Sequence, residues 1–325
     1  MSVVVFKENG IEIIPIHVPT DNGLKSINFY LIKHGKSLSL IDAGYNNEPC
    51  WNALLSTLAQ NDLQLKDLTE IILTHHHADH IGLVNPIVSK HPIPVYASPS
   101  SIPRLKRDEN FLKMRIEFFS KLYSEMGCGE LGLGQVHFLK EAIQKNKDQA
   151  LQCEIIEIKE RKLFDFLVMP VPGHAPDQLA FFNQEHRWML VGDLLIDHIA
   201  SNAIVEPDSN GNRMHTLSQH IDSLKSVLVF NPHIVFSGHG KNITQPEQLL
   251  KKRLDRIEEK SDRILSLIDS GVKTGSELAQ FIYKKRYATN FSLVMSEIIG
   301  RLDYLEVQGK IRKTLENKIW RYAKI

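Results

Sequence analysis

The sequence contains few cysteines and no long apolar run, and each absence excludes a class of protein. Cys50, Cys128 and Cys153 are odd in number and form no CxxC pair, which predicts buried free thiols and no disulfide framework. No stretch of about 18 apolar residues occurs, so a transmembrane helix is not expected. Residues 1–16 lack a basic stretch followed by an apolar one, so no signal peptide is predicted. We therefore expect a reducing, cytoplasmic location and no membrane partner.

The chain also has almost no net charge, but its basic and acidic residues are unevenly distributed. The total is +1, whereas residues 271–325 alone hold 11 basic and 5 acidic residues, a balance of +6. Such a difference predicts two units with different surfaces. Solvated lysine and arginine side chains are common, so the charge alone does not establish nucleic-acid binding.

Strand-like and helix-like runs alternate over the first 245 residues, which predicts an α/β sandwich. Runs rich in β-branched residues and bounded by turn residues indicate strands. The predicted strands are residues 11–16, 28–33, 37–41, 70–73, 94–97, 153–158, 166–171, 179–182, 188–191 and 234–237. Helices are predicted at 48–60 and 215–230.

An additional helix is predicted at residues 103–126, inserted between two strands. Its apolar stripe at helical spacing consists of Phe111, Met114 or Arg115, Phe118, Leu122 and Met126. Packed core is the common role of such a helix, and a lid or pocket wall is the functional alternative. The glycine-rich residues 127–134 follow a helix and not a strand, so we interpret them as a connector and not as a dinucleotide loop.

Residues 246–325 are predicted as a linking helix and a small α+β domain, separate from a catalytic domain at 1–245. Helices are expected at 246–269, at 274–283 behind a Thr274–Glu277 capping box, and at 291–307. Two strands around a tight turn follow, at 310–315 and 319–325. Helices followed by a hairpin are the outline of a winged helix. If this domain serves for packing or dimerisation, the helix at 291–307 is expected to bury its apolar residues, which are Leu293, Ile298, Leu302 and Leu305.

A histidine-rich segment, THHHADH at residues 74–80, directly follows the predicted strand at 70–73. His75 and His77 are two residues apart, so their side chains can point the same way, and Asp79 and His80 can curl back towards a second metal. Imidazole and carboxylate suit Zn²⁺ and similar ions. A His-rich surface tract is the alternative, but such tracts usually lack an apolar strand before them and a glycine-ended loop after them.

Three more candidate ligands follow later strands. His174, Asp193 and His239 each lie just beyond an apolar strand and next to a glycine, which lets the backbone turn tightly. Together with His75, His77, Asp79 and His80 they supply seven ligands, enough for two metals with open positions.

With these residues the sequence resembles the metallo-β-lactamase superfamily over about residues 10–245. The H-x-H-x-D-H motif is complete, and Asp42 matches an early Asp-x-Gly of the family. The resemblance implies a four-layer αββα sandwich with metals at one edge, in which Asp42 braces the ligand loop and His76 is not a ligand. By the same resemblance, the first metal is held by His75, His77 and His174, the second by Asp79, His80 and His239, and Asp193 bridges them.

Two divalent cations at such a site activate a shared water as hydroxide and stabilise the developing oxyanion. Zn²⁺ is the expected metal, with Mn or Fe as alternatives. Asp79 is expected to be catalytic, since it orients the hydroxide as well as binding metal. We predict a hydrolase of a small-molecule ester, thioester or lactone.

Several alternatives stay open because a fold does not determine a substrate. The same core with a winged-helix tail is similar to glyoxalase II-like enzymes and to endoribonucleases, so nucleic acid is the alternative substrate. An iron-dependent persulfide dioxygenase-like enzyme and a non-enzymatic nucleic-acid-binding regulator are further hypotheses. Leu194 stands where relatives often carry a histidine, and His198 and Asn202 are candidate substrate-binding substitutes. A homodimer is left open.

Overall fold

The computed structural model describes residues 5–325; residues 1–4, on which the prediction of no signal peptide partly rests, lie outside the described part. Within it, a first sheet has seven strands in sequence order. They are β1 (Phe6–Glu8), β2 (Ile11–Pro19), β3 (Ser26–His34), β4 (Ser37–Ile41), β5 (Glu70–Ile72), β6 (Val95–Ala97) and β7 (Ile155–Glu157). The strands from β1 to β4 pair antiparallel, and those from β4 to β7 pair parallel.

The second sheet has five strands within residues 5–325, in the order β12-β11-β10-β9-β8. Their bounds are β8 (Lys162–Leu163), β9 (Phe166–Pro170), β10 (Leu179–Asn183), β11 (Trp188–Gly192) and β12 (Ile234–Ser237). The predicted strands at 37–41 and 234–237 have the predicted bounds, and the others differ by a few residues at their ends. The short strands β1 and β8 were not predicted, because two or three residues give no periodic signal.

Helices cover the outer faces of both sheets, which confirms the predicted four-layer sandwich. Alternate side chains of one strand enter two different cores, as a pleated strand requires: Ile14 and Ile71 pack outward, whereas Ile13 and Ile72 pack between the sheets. The outer face of the first sheet is covered by α1 (Glu48–Gln60), α2 (Ala78–Ile81) and α3 (Val84–Lys90), and that of the second sheet by α7 (Thr216–Phe230) and α8 (Pro246–Asp269).

The inserted segment contains more helix than predicted. It forms α4 (Ile102–Leu105), α5 (Glu109–Glu125) and α6 (Gly129–Lys145), so interpreting residues 127–134 as a connector was wrong beyond Cys128. A glycine within a helix is tolerated where packing needs it, and a Cβ on Gly132 would stand 2.9 Å from the Cβ of Tyr123. The buried face of α5 also differs from the predicted stripe, because Phe119 and Tyr123 are buried and Phe118 is only partly buried.

The C-terminal elements occur in the predicted order, with one short helix added. They are α9 (Gly275–Tyr283), α10 (Lys285–Thr289), α11 (Phe291–Val307), β13 (Ile311–Glu316) and β14 (Ile319–Lys324); the added helix, which was not predicted, is α10. The Thr274–Glu277 capping box is present. Ile298, Leu302 and Leu305 are buried as expected, but Leu293 is 42% exposed. Its position points away from the core, because the face of α11 that packs inward is centred on Ile298. The division at residue 245 and the winged-helix description stay predictions.

One apolar core joins the inserted helices to the C-terminal elements. Phe119 and Tyr123 of α5 belong to the same cluster as Met295 and Ile298 of α11 and Tyr322 of β14. The insert therefore packs against the C-terminal unit, as the core interpretation of the predicted helix expected.

The structure shows the state of the three cysteines and the character of the helices. Cys50 and Cys128 are buried free thiols, and Cys153 is a half-buried one. Among the residues described, no helix combines the length and apolarity needed to cross a membrane.

Candidate metal centre

The seven predicted ligands lie at one edge of the sandwich, where strands of both sheets end. β5 leads into His75, β9 into His174, and the parallel strands β11 and β12 into Asp193 and His239. Two backbone hydrogen bonds join the sheets at this edge, from Asn28 to Gly238 and from Leu179 to Thr74, each 2.8 Å long. Hydrogen bonds between the two sheets therefore hold this edge in place.

A first group brings together His75, His77 and His174. Nε2 of His75 and Nε2 of His174 each lie 3.0 Å from Nδ1 of His77, and one nitrogen from each residue lies within 4.8 Å of the others. Their side chains converge because His75 and His77 leave the end of β5 while His174 reaches across from the second sheet. This is the set predicted for the first metal.

A second group consists of Asp79, His80, Asp193 and His239, again within 4.8 Å of one another. Nε2 of His239 lies 3.0 Å from Oδ2 of Asp193 and 3.4 Å from Oδ2 of Asp79. The same Asp193 oxygen is 3.5 Å from Nε2 of His174 in the first group. Asp193 therefore stands between the groups, at the position predicted for the bridging ligand.

Backbone or side-chain acceptors hold Nδ1 of four of these histidines. The pairs are His75 with the Thr74 hydroxyl (3.0 Å), His80 with the Asp42 carboxylate (2.7 Å), His174 with the Asn202 carbonyl (3.0 Å) and His239 with the Ser26 carbonyl (2.8 Å). A histidine that donates from Nδ1 keeps the lone pair of Nε2 free for a cation. The surroundings thus fix both ring orientation and tautomer.

Asp42 lies at the centre of this support and outside both groups. Besides His80, its carboxylate accepts hydrogen bonds from the backbone nitrogen and the hydroxyl of Thr74, each 2.8 Å long. This is the bracing position that the resemblance implied for it.

The electrostatics of the two groups differ. Burial and the neighbouring His80 lower the pKa of His75 well below its ordinary range, so the first group offers neutral nitrogens. Burial opposes charge on His80 and His239, yet the nearby carboxylates raise the pKa of His80 well above its ordinary range and that of His239 to about 9. A cation bound at the second group must therefore displace protons.

His76 points away from the two groups and contacts a residue that the sequence analysis missed. Its Nδ1 lies 2.6 Å from Oδ1 of Asp177, which is only 1% exposed. Asp177 follows His174 by three residues, and this proximity in sequence was the available signal. Ser201 was missed as well; its hydroxyl lies 3.0 Å from Nδ1 of His174.

The two candidate substrate-binding residues lie beside the centre and outside its ligand groups. His198 contacts Asp197 at 2.7 Å and the Gly23 carbonyl at 2.9 Å. Asn202 offers its backbone carbonyl to His174, and Leu194 is buried in the apolar core of the second sheet. A substrate-binding role for His198 and Asn202 stays a prediction.

Comparison with known proteins agrees with the geometry. Residues 22–239 match the family model described as the metallo-beta-lactamase superfamily. A probable metallo-hydrolase, YqjP of Bacillus subtilis (strain 168), is 32% identical over 92% of this chain and 94% of its own length. A hydroxyacylglutathione hydrolase of Bdellovibrio bacteriovorus is 27% identical over 40% of this chain and 35% of its own length.

A solved structure extends the similarity in fold to the whole chain. The crystal structure of a metallo-beta-lactamase family protein from Thermus thermophilus superposes with a TM-score of 0.78 at 22% identity, covering 96% of this chain and 98% of that one. The family match covers well over half of the chain and contains all seven candidate ligands. The chain therefore belongs to the metallo-beta-lactamase superfamily.

Proposed function

We propose that this protein is a dinuclear metal-dependent hydrolase of a small ester, thioester or lactone. The observation that carries the proposal is the pair of adjoining ligand groups, with Asp193 in reach of both. The similarity to a probable metallo-hydrolase along nearly the whole chain supports hydrolysis. The local similarity to a hydroxyacylglutathione hydrolase favours acyl chemistry.

Unpartnered polar atoms in the second group support a bound cation. Nε2 of His80 and Oδ1 of Asp193 are buried, lie 3.3 Å apart and have no hydrogen-bond partner among residues 5–325. Buried polar atoms are rarely left without partners, and both are ligand atoms for divalent metals. Histidine and carboxylate ligands without a thiolate suit Zn²⁺, and Mn or Fe as alternatives. The residues present therefore fit two metal ions.

Bound divalent cations would supply Lewis acidity and lower the pKa of water at the site. The protein itself orients the ligands, through Asp42 and the acceptors of each Nδ1. Asp79 is 13% exposed in its side chain, against 6% for Asp193, so it is the carboxylate of the centre that solvent and substrate reach more easily. We assign to Asp79 the orientation of the attacking water as well as metal binding.

Metal analysis tests the ligand assignment. We expect about two metal ions per chain in the metal-replete protein, and about one in each of the variants His77→Ala and His239→Ala, because each removes a ligand of one group. Elemental analysis after gel filtration measures this. Full retention of metal in both variants would contradict the assignment.

Kinetics test the reaction class and the role of Asp79. A panel of thioesters, lactones, phosphodiesters and short RNAs identifies the cleaved bond. With any cleaved substrate, Asp79→Asn should lower kcat by at least about 10²-fold while circular dichroism stays unchanged. Near-normal turnover in this variant would remove Asp79 from the mechanism.

A second candidate function is cleavage of nucleic acid. Lys284, Lys285 and Arg286 are consecutive and exposed, and Phe281, three residues before them in the chain, is 56% exposed. Exposed cations and exposed aromatic rings are typical of surfaces that bind single strands. We place this candidate second, because five of the eleven basic residues of 271–325 are in ion pairs and acidic residues lie on α11.

A further inference from the structure

A cavity lies beside the loop that holds His174, between the second sheet and the C-terminal helices. Its wall comes from residues 194–203 and from α7, α8 and α11, and its volume is about 50 Å³, enough for a small group of non-hydrogen atoms. Ser201 and Asn202 belong to this wall and also contact Nδ1 of His174. Ser201 and Asn202 therefore connect the cavity to His174, a candidate metal ligand.

The charged residues of the wall are mostly basic. Four cationic side chains and one carboxylate line the cavity, an excess of three positive charges: Arg253, Arg256, Lys260, Arg301 and Glu297. Glu297 is 2.6 Å from Nζ of Lys260 and 3.1 Å from Nη2 of Arg301, so these three form a network of their own. Within residues 5–325, Arg253 and Arg256 are in no such ion pair.

Two buried nitrogen atoms of the wall have no hydrogen-bond partner among the described residues. One is Nδ1 of His220, a residue only 4% exposed, and the other is Nε of Arg253. Nη2 of Arg253 donates to the carbonyls of Ile196, Asp197 and Ile199 at 2.8–3.1 Å, which fixes the guanidinium in place. Both residues line the cavity, and buried polar groups are usually paired. An acceptor bound there pairs with Nε of Arg253, and with Nδ1 of His220 in the tautomer that carries a proton on this nitrogen.

We propose that this cavity binds a compact anionic group, a carboxylate or a phosphate, through Arg253, Arg256 and His220. Planar guanidinium groups bind such oxyanions with charge-assisted hydrogen bonds. This group has two possible sources. One is the acidic end of the substrate, an assignment that rests on the proposed function. The other is a separate small anion that acts on His174 through Ser201 and Asn202. A cavity that merely holds water is the contrary hypothesis.

Titration calorimetry with inorganic phosphate on the full-length, metal-loaded protein tests the site. We expect Arg256→Gln to weaken phosphate binding by about tenfold, through loss of a charge-assisted hydrogen bond, and Arg256→Glu to abolish it. Arg256 is exposed, so its variants should fold. The control is Arg263→Gln, an exposed arginine of the same helix that does not line the cavity. Equal affinity in Arg256→Gln and the control, or no binding by the wild type, would overturn the proposal.

Two esters, one neutral and one bearing a carboxylate, separate the two sources of the anion. If the acidic end of the substrate enters the cavity, Arg256→Gln raises the KM of the carboxylate ester and not that of the neutral one. If a separate anion binds, phosphate changes kcat for the neutral ester in the wild type and not in the variant. Should neither ester be cleaved, the proposed function is in question, whereas the calorimetry still decides whether the cavity binds anions.

Discussion

Gly238 lies where the backbone comes closest to the second ligand group. A Cβ at this position would stand 2.4 Å from Oδ1 of Asp193 and 2.7 Å from Cε1 of His80, closer than real Cβ atoms approach other atoms. Both contacts are with side chains that burial and hydrogen bonds hold in place, so they have little freedom to move. The absence of a side chain at Gly238 therefore leaves room for the ligands.

This predicts that Gly238→Ala lowers metal affinity at the second group while the sandwich still folds. We expect at least a tenfold weaker second binding step in a competitive chelator titration, with unchanged circular dichroism. Gly134→Ala is the control, because a Cβ there meets nothing within 4 Å and alanine favours a helix. Equal metal affinity in the two variants would show that the ligands adapt to the added methyl group.

Asp303 is a buried carboxylate of α11. Burial raises its pKa to about 6, in spite of an ion pair at 2.9 Å with Arg213. The folded state therefore keeps a proton that the unfolded chain releases near pH 4. Stability from this group is fully present below about pH 4 and is lost as the pH rises through about 6, a change of roughly 3 kcal/mol.

Urea unfolding of the wild type and Asp303→Asn at pH 4 and pH 7 measures this effect. The variant lacks the titration, and the other carboxylates cancel in the difference between the two proteins. We expect the difference in unfolding free energy to shift in favour of the variant between pH 4 and pH 7. A shift in the opposite direction would mean that Arg213 outweighs burial.

Helix α5 has one phenylalanine in the core and one near its surface, so variants of the two can distinguish a packing role from a role in the substrate pocket. Phe119 is 5% exposed and packs in the core shared with α11, whereas Phe118 is only partly buried. Phe119→Ala should lower the free energy of unfolding by about 3–5 kcal/mol, and Phe138→Ala, on a residue 60% exposed in α6, by less than about 0.5 kcal/mol. Denaturant titration of the variants checks both values.

Substrate kinetics of Phe118→Ala complete this test. If α5 also forms a wall of the substrate pocket, the variant should change KM across a substrate series more than it changes the melting temperature. Unchanged KM together with a lower melting temperature would leave α5 with a packing role alone.

Some helices of this fold could be predicted from the sequence and others could not. The helices with a long apolar period, such as α1, α8 and α11, have the bounds that the pattern predicts, because periodicity and capping act locally. α6 escaped prediction because its first turns contain Gly129, Gly132 and Gly134, which signal a loop unless the packing against Tyr123 is known.

In the candidate site, too, local sequence features were predictable and contacts between distant segments were not. The seven candidate ligands that the structure brings together could be predicted, since each is a metal-binding residue type at or shortly after a strand end. Their role as ligands stays a prediction. Their supports could not be predicted, because His174 and His239 are held by the backbone carbonyls of Asn202 and Ser26. Any residue type supplies a carbonyl, and only the fold brings these distant segments together.

The basic residues of 271–325 would have to form a continuous exposed surface in order to bind nucleic acid. Five of these eleven residues form ion pairs within the described part of the chain: Arg301, Lys310, Lys313, Arg321 and Lys324. Most residues of α11 are buried, so this helix presents no free face to a groove. Six exposed basic residues remain, of which Lys284, Lys285 and Arg286 are consecutive; the others are Lys273, Arg312 and Lys318.

We therefore expect only weak binding of nucleic acid. Single-stranded RNA, titrated at low and moderate salt, should bind more weakly than micromolar, because the continuous run of free cations holds only three that would neutralise phosphates and release counterions. The triple variant Lys284, Lys285, Arg286→Ala should then differ little from a control triple of exposed lysines near α6, Lys140, Lys145 and Lys147→Ala. Micromolar or tighter binding that disappears with salt, and in the first variant alone, would instead favour nucleic acid over a small ester as the substrate.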